Sequence, residues 1–279
     1  MATTAAPSSV DLRMRPSAER GHADHDWLKT YHTFSFASYF DPAHVQFGPL
    51  RVINEDRVEP GEGFGKHSHR EANIFSYIVR GELEHKDSLG GEEIMKRGDV
   101  QMTTTGTGIA HAEYNRNQRE QVHFLQIWAT PNQGRLKPEY YHRNFSDESK
   151  RDALVKIVAP VGADADVIDK REASGPAPIH SDLTVHASIL SPNADIAHTL
   201  APSTRRAFVH LIMSAYRAPR DPSPAKTLAL GVKGGKTVEL AEGDGVFVEA
   251  SGGGLGGLEL TFANAGSTDA EFLLFEMSS

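Results

Sequence analysis

Residues 74–104 read IFSYIVRGELEHKDSLGGEEIMKRGDVQMTT, and this stretch decides the fold. Positions 74–79 are dense in β-branched and aromatic residues, which suit a buried strand. Gly81 turns the chain into 82–86, where polar and apolar residues alternate. A turn over 87–91 leads to 93–95, and Lys96-Arg97-Gly98-Asp99 turns again into 100–104. Short strands with turn residues roughly every 8–12 positions argue a sandwich or barrel. Working outward, 50–53 and 122–128 are further β-like runs, and nothing before residue 146 keeps a helical period. The segment 131–138 ends this first unit. Asp147, Glu148 and Ser149 offer a helix start within the polar stretch 146–158, and 175–179 is a Pro/Ala-rich loop. A second β-rich block runs through 183–190, 206–213, 227–230, 237–240, 245–249, 258–262 and 271–275. Gly243-Asp244-Gly245 occupies the same kind of turn as Gly98-Asp99, so the two halves read as a weak internal repeat. The expectation is an all-β chain with units at residues 1–147 and 148–279, residues 1–19 being a flexible tail.

Composition narrows the function. The chain has 279 residues, enough for one large or two medium cores. No apolar run approaches the ~18 residues of a membrane span, so no membrane partner is expected. The first ten residues have neither a basic start nor an apolar core, unlike a secretory signal. The chain has no cysteine, which excludes disulfides, thiolate metal sites and cysteine nucleophiles. A cytoplasmic compartment fits, and the nucleus is compatible. Net charge is −8, with 17 basic and 20 acidic residues up to Asp147 and 12 and 17 after it. Neither half is basic, so direct nucleic-acid binding is not expected. Ten of the 14 histidines precede residue 148, so chemistry is expected there.

Two short motifs carry that chemistry: His67-Ser68-His69 and His111-Ala112-Glu113. Each is a pair of metal-type ligands spaced i, i+2, which on a strand point to one face. Both follow glycine-rich approaches, Pro60-Gly61-Glu62-Gly63-Phe64-Gly65 and Thr105-Gly106-Thr107-Gly108. Facing strands would aim three imidazoles and a carboxylate at one point. That donor set suits a divalent first-row transition metal with positions left open for reactants. The alternative, surface histidines on solvated strands, does not account for two such pairs separated by a hairpin. A structural metal is also disfavoured, because closed tetrahedral sites often use cysteine.

The arrangement resembles the cupin motifs and, more closely, the pirin family of bicupin proteins. Arg20-Gly21-His22-Ala23-Asp24, His32-Thr33-Phe34-Ser35-Phe36-Ala37 and Phe47-Gly48-Pro49-Leu50-Arg51-Val52 resemble that family's N-terminal signature. Gly81-Glu82-Leu83-Glu84-His85-Lys86-Asp87-Ser88 resembles its central hairpin, and Gly98-Asp99-Val100-Gln101, Gly106-Thr107-Gly108-Ile109 and Leu125-Gln126-Ile127-Trp128 complete the likeness over about residues 20–145. The resemblance implies two tandem cupin (jelly-roll) barrels, the first binding one metal through His67, His69, His111 and Glu113. It implies Fe(II) as the usual ion, with Mn, Ni, Co, Cu or Zn compatible. It also implies quercetin 2,3-dioxygenase activity, while a mammalian member is a nuclear cofactor of transcription regulators. One departure stands out: where the family typically has a glutamate four residues after the second ligand histidine, this chain has Asn73. That removes a carboxylate expected near the metal.

The expected function is therefore a metal-dependent dioxygenase acting on a flavonol with O₂, Glu113 serving both as ligand and as catalytic acceptor of the substrate hydroxyl proton. The competing reading is an iron-dependent redox sensor that docks a transcription factor as a protein partner. Other residues are assigned plainer roles. His85 reads as structural and His123 as a core histidine. Phe34, Phe36, Tyr39 and Phe40 either roof an aromatic pocket or pack the core. His22 and His25 read as loop residues, and Arg205 and Arg206 as a solvated strand end. In the C-terminal half His186, His198 and His210 stand singly, so that half is expected to hold no metal, its interior filled by Leu200, Phe208 and Phe247.

Overall fold

A computed structural model describes residues 9–218, 221, 225–251 and 254–279. In chain order the first strands are β1 (Val10–Arg15), β2 (Gly21–Asp24), β3 (Leu28–His32), β4 (Leu50–Val58), β5 (Gly63–His69), β6 (Asn73–Arg80), β7 (Leu83–Asp87), β8 (Glu92–Met95), β9 (Asp99–Thr104), β10 (Ile109–Tyr114), β11 (Val122–Ala129) and β12 (Glu139–Asn144). A single helical turn, α1 (Asp147–Lys150), follows at the expected start. The later strands are β13 (Val155–Pro160), β14 (Ala177–Ile179), β15 (Leu183–Leu190), β16 (Asp195–Thr199), β17 (Arg206–Leu211), β18 (Lys226–Val232), β19 (Thr237–Ala241), β20 (Gly245–Ala250), β21 (Glu259–Asn264) and β22 (Ala270–Met277).

The fold is all-β, two cupin jelly rolls in tandem. The chain forms two compact units: Arg20–Ser146 with Ile157–Asp182, and Asp147–Lys156 with Leu183–Ser279 and the described residues up to Glu19. This differs from the expected cut at residue 147, because two segments cross over. The flexible-tail expectation is corrected for residues 10–19; residues 1–8 lie outside the described residues. Val10, Leu12 and Met14 alternate with polar residues and pack on the C-terminal core. Their strand, β1, pairs with β20 from Val10 opposite Ala250 to Arg15 opposite Gly245. A partner so distant in sequence leaves no local signal.

In the first unit a larger sheet runs β12-β9-β6-β11-β4-β3-β2 and a smaller one β5-β10-β7-β8. One apolar cluster gathers Leu28, Val58, Ile78, Leu83, Met95, Val122 and Phe124, with Trp27 and Phe64 packed against it. In the second unit β1-β20-β17-β22-β15 and β16-β21-β18-β19 repeat the plan. The repeated turn is the same device twice. Gly98 and Gly243 take φ of 86° and 83°, a region open to glycine. Asp99 Oδ2 then accepts the Lys96 amide at 2.7 Å, and Asp244 Oδ2 accepts the Ala241 amide at 2.9 Å. Leu200 joins the C-terminal core as expected. Phe208 and Phe247 do not. They alternate with the core residues Val209 and Val246, so they lie on the opposite face of the sheet, their rings 4.7 Å apart. Among the described residues no helix is long and apolar enough to cross a membrane.

Candidate metal centre

The two ligand motifs lie on adjacent antiparallel strands. Along β10 burial alternates, so Ile109, His111 and Glu113 point inward while Ala110, Ala112 and Tyr114 do not. Its neighbour β5 sets His67 opposite His111 and His69 opposite Ile109. A bulge between His111 and Glu113 shifts the register, placing Glu113 opposite Phe64. Gly63 makes the bulge possible: a Cβ there would sit 2.2 Å from the Glu113 carbonyl oxygen and 2.6 Å from Tyr114 Cα.

The imidazoles converge. One ligand nitrogen from each of His67, His69 and His111 lies within 4.8 Å of the others, and the ring centroids are 4.6–4.9 Å apart. His67 Nδ1–H donates to the Gly65 carbonyl at 2.7 Å, which leaves Nε2 as a lone pair. That Nε2 faces His111 Nε2 at 3.1 Å. Two cis donors on one ion, at bonds of ~2.0–2.1 Å, stand about 3 Å apart, so this spacing fits a shared cation. Burial pushes His111 down to about 4, despite the attraction of Glu113, and burial followed by the nearby His67 lowers His69. Both are therefore neutral, and able to ligate, at neutral pH.

Glu113 is grouped with His111 and His85 within the same 4.8 Å limit, and not with His67 and His69. Its Oε2 accepts from Gln126 Nε2 at 2.9 Å. Its Oε1 is buried with no hydrogen-bond partner, 3.8 Å from His85 Nδ1. Burial raises this carboxyl, but the His85, His111 and His67 imidazoles outweigh that and hold it below the ordinary range. His85 is thus more than the structural residue expected. The pairing of β7 with β10 sets it opposite Glu113, with Nε2 3.3 Å from Asp87 Oδ2. The sequence held a hint in the i, i+2 spacing of His85 and Asp87, which places both on one face.

A cavity of about 430 Å³ opens over the site. His67, His69 and Glu113 line it from the smaller sheet, and Thr30, His32, Asn54, Asp56, Gln126 and Trp128 from the larger. Trp27, Phe36, Phe64 and Trp128 give it aromatic walls. Trp128 meets His69 edge-on at 4.8 Å and Phe36 at 5.6 Å. Of the four aromatics considered as a roof, Phe36 alone lines the cavity. Phe34 is buried and Phe40 is 74% exposed, while the Tyr39 ring lies 6.4 Å from that of His32. His123 is a core residue as expected, bonded to buried Glu55 at 3.1 Å, and Glu55 also takes Arg20 at 3.2 Å. His22 lies on β2 with its ring 4.7 Å from Tyr31, so only His25, exposed just beyond β2, is a loop residue. Arg206 opens β17 and meets Glu249 at 3.5 Å. Asn73 does not line the cavity. Its amide donates to the His180 carbonyl at 3.1 Å and its Oδ1 accepts from Thr104 at 3.2 Å. The Asn73 side chain thus braces the His180 backbone and the Thr104 side chain within the unit.

The Pirin family model matches residues 13–129, which span both motifs. A relative from Escherichia coli K12, named quercetin 2,3-dioxygenase, is 36% identical over 201 residues, 72% of this chain and 81% of the relative. The chain belongs to the pirin family. This pirin is also similar to the crystal structure of Escherichia coli YhhW, with a TM-score of 0.76 and 30% identity over 96% of this chain and 97% of that one. A second structure of the bacterial pirin YhhW, in complex with nickel(II), matches with the same TM-score and identity over 96% of this chain and 99% of that one.

Proposed function

We propose that this pirin is a metal-dependent dioxygenase of flavonol-type substrates such as quercetin. The observation that carries the reading is an aromatic cavity of about 430 Å³ whose wall carries His67, His69 and Glu113, with His111 completing the imidazole triad beside it. With Glu113 these residues would hold one divalent ion. Fe(II) suits the mixed nitrogen and oxygen donors, and the nickel(II) complex of YhhW supports a site of that kind. When bound, the ion supplies Lewis acidity and open positions for oxygen ligands.

The protein does the rest. Trp27, Phe36, Phe64 and Trp128 offer flat apolar surface to the rings of a flavonol and keep water from them. Thr30, Asn54 and Gln126 present polar groups that can orient its hydroxyls. Glu113 is the proton acceptor: its unpartnered Oε1 is held as a carboxylate, while Gln126 fixes Oε2. Holding the reactants in one cavity removes the entropy of their encounter from the barrier. The test is oxygen uptake by protein reconstituted with Fe(II), and separately with Ni(II), across a panel of flavonols. Metal-dependent uptake is expected, and its absence with every flavonol and either ion would refute the reading.

A further inference from the structure

A second cluster of metal-type ligands lies in the C-terminal unit, where the sequence has no H-x-H and none was expected. His186 on β15, His198 on β16 and Glu276 on β22 each place one ligand atom within 4.8 Å of the others. His198 Nε2 is 2.7 Å from Glu276 Oε1, and His186 Nδ1 is 3.5 Å from the same oxygen. The two imidazole centroids are 4.9 Å apart.

The sheet register explains the convergence. β15 and β22 pair with Thr184 opposite Glu276, so His186, two residues on, shares that face. Leu190, Phe272 and Leu274 have the same parity and belong to the barrel core. Ile196, two residues before His198, packs on that core as well. All three donors therefore point into the barrel, two from the larger sheet and one from the smaller. This is a different plan from the first site, whose imidazoles all come from the smaller sheet. It is why a search for a repeated H-x-H misses it.

The details favour a ligand. Glu276 Oε2 is anchored by the Ala201 amide at 2.9 Å and the Thr204 hydroxyl at 2.8 Å. That leaves Oε1 as the corner turned to both imidazoles. A plain hydrogen-bonded clamp would account for His198 and Glu276 and leave His186 unexplained. His186 is 7% exposed, and its Nδ1 has no hydrogen-bond partner, a costly state for a buried nitrogen. Metal–ligand bonds of ~2.0–2.2 Å put neighbouring donors about 3.0–3.5 Å apart. The observed 2.7 and 3.5 Å need only a few tenths of an ångström of adjustment, within reach of side-chain torsions. The His198 side chain is 22% exposed, which gives an ion a route in.

We infer that the C-terminal barrel binds zinc(II), or a divalent ion of the same borderline class, through His186, His198 and Glu276. Two imidazoles and one carboxylate form an open donor set, completed by water. The ion ties β15, β16 and β22 together across the barrel. The inference is independent of the dioxygenase reading, since none of its residues belongs to the first site.

The test begins by vacating the first site with His67→Ala/His111→Ala and measuring zinc after equilibrium dialysis by elemental analysis. Wild type is expected to hold two equivalents per chain and the double variant one, with a raised thermal midpoint on zinc addition. Adding His186→Ala and His198→Ala should remove that last equivalent. No zinc in the double variant would overturn the inference, as would zinc retained after all four substitutions. A second measurement needs no variant. Crystals of the unaltered protein grown with zinc should show an anomalous peak at the zinc edge between His186, His198 and Glu276. Peaks confined to the His67 cluster would overturn the inference.

Discussion

Replacing Glu113 by Gln tests the chemistry assigned to this carboxylate. The side chain is 1% exposed, and its two oxygens have different surroundings. Oε2 takes the Gln126 amide at 2.9 Å, and Oε1 faces His85 without a hydrogen bond. Glutamine keeps the size and one oxygen. It loses the charge and turns one corner into a donor. If that NH₂ faces Gln126, donor meets donor. A flip of Gln126 would relieve the clash but costs the bond its Oε1 accepts from Trp128 Nε1 at 3.3 Å. If the NH₂ faces the histidines instead, the coordinating oxygen is lost. Metal affinity should therefore fall by at least the roughly 10–100-fold typical of losing a supporting partner. Excess metal can compensate for that. The lost proton acceptor is a separate term, about 10²–10⁴-fold in rate, or about 3–5 kcal/mol of barrier. The assay is oxygen uptake with quercetin at saturating metal, with occupancy measured on the same samples. A variant with full occupancy and a rate at least 100-fold down supports the proton-acceptor role. Activity that simply tracks occupancy and recovers with it would show Glu113 to be a ligand only.

Three further outcomes follow from the same structure. Trp128→Ala should raise KM for a flavonol by roughly 10-fold or more through lost aromatic contact, with a smaller change in kcat; an unchanged KM would mean the substrate does not lie against this wall. Gly63→Ala drives a Cβ into the Glu113 carbonyl and Tyr114 backbone, so it should straighten or break the bulge, cut metal occupancy and cost about 1–3 kcal/mol of stability, read by metal content and denaturant unfolding. Burial, with Glu113 and Glu55 nearby, raises buried Asp56 to about 7 against the partial relief of Thr30. The folded state then holds a proton that the unfolded state releases near 3.8, so this residue's contribution makes the metal-free protein lose stability as pH rises from about 4 to 7 and level off above that. The total is on the order of 4 kcal/mol at most, and Asp56→Asn should flatten that slope in urea titrations; an unchanged slope would place the titration elsewhere.

Much of the fold was legible because its signals are local. The alternation in 82–86, the glycine turns and the aspartates that cap them specify hairpins wherever they occur. The i, i+2 pairs were legible for the same reason, since strand parity alone sets both members on one face. What escaped was non-local. β1 is a short alternating segment whose partner β20 lies near the far end of the chain. His85 gains its place from cross-strand register, opposite Glu113. His186, His198 and Glu276 come from three strands in two sheets, and no spacing along the chain announces them. Phe208 and Phe247 were assigned to the interior by hydrophobicity, but parity with Val209 and Val246 sends them to the other face. Asn73 was read through a family pattern, whereas the structure gives its side chain the His180 carbonyl and the Thr104 hydroxyl as partners.

The central claim is that the imidazole triad holds a metal which makes the aromatic cavity an oxygenase site. The most direct measurement is oxygen consumption with quercetin by Fe(II)-loaded wild type beside the His67→Ala/His111→Ala variant, both confirmed as folded by circular dichroism. The account predicts uptake by the wild type and its loss in the variant, even where the variant keeps an equivalent of metal in its C-terminal barrel. Equal uptake by the two proteins, or none by the loaded wild type, would contradict it.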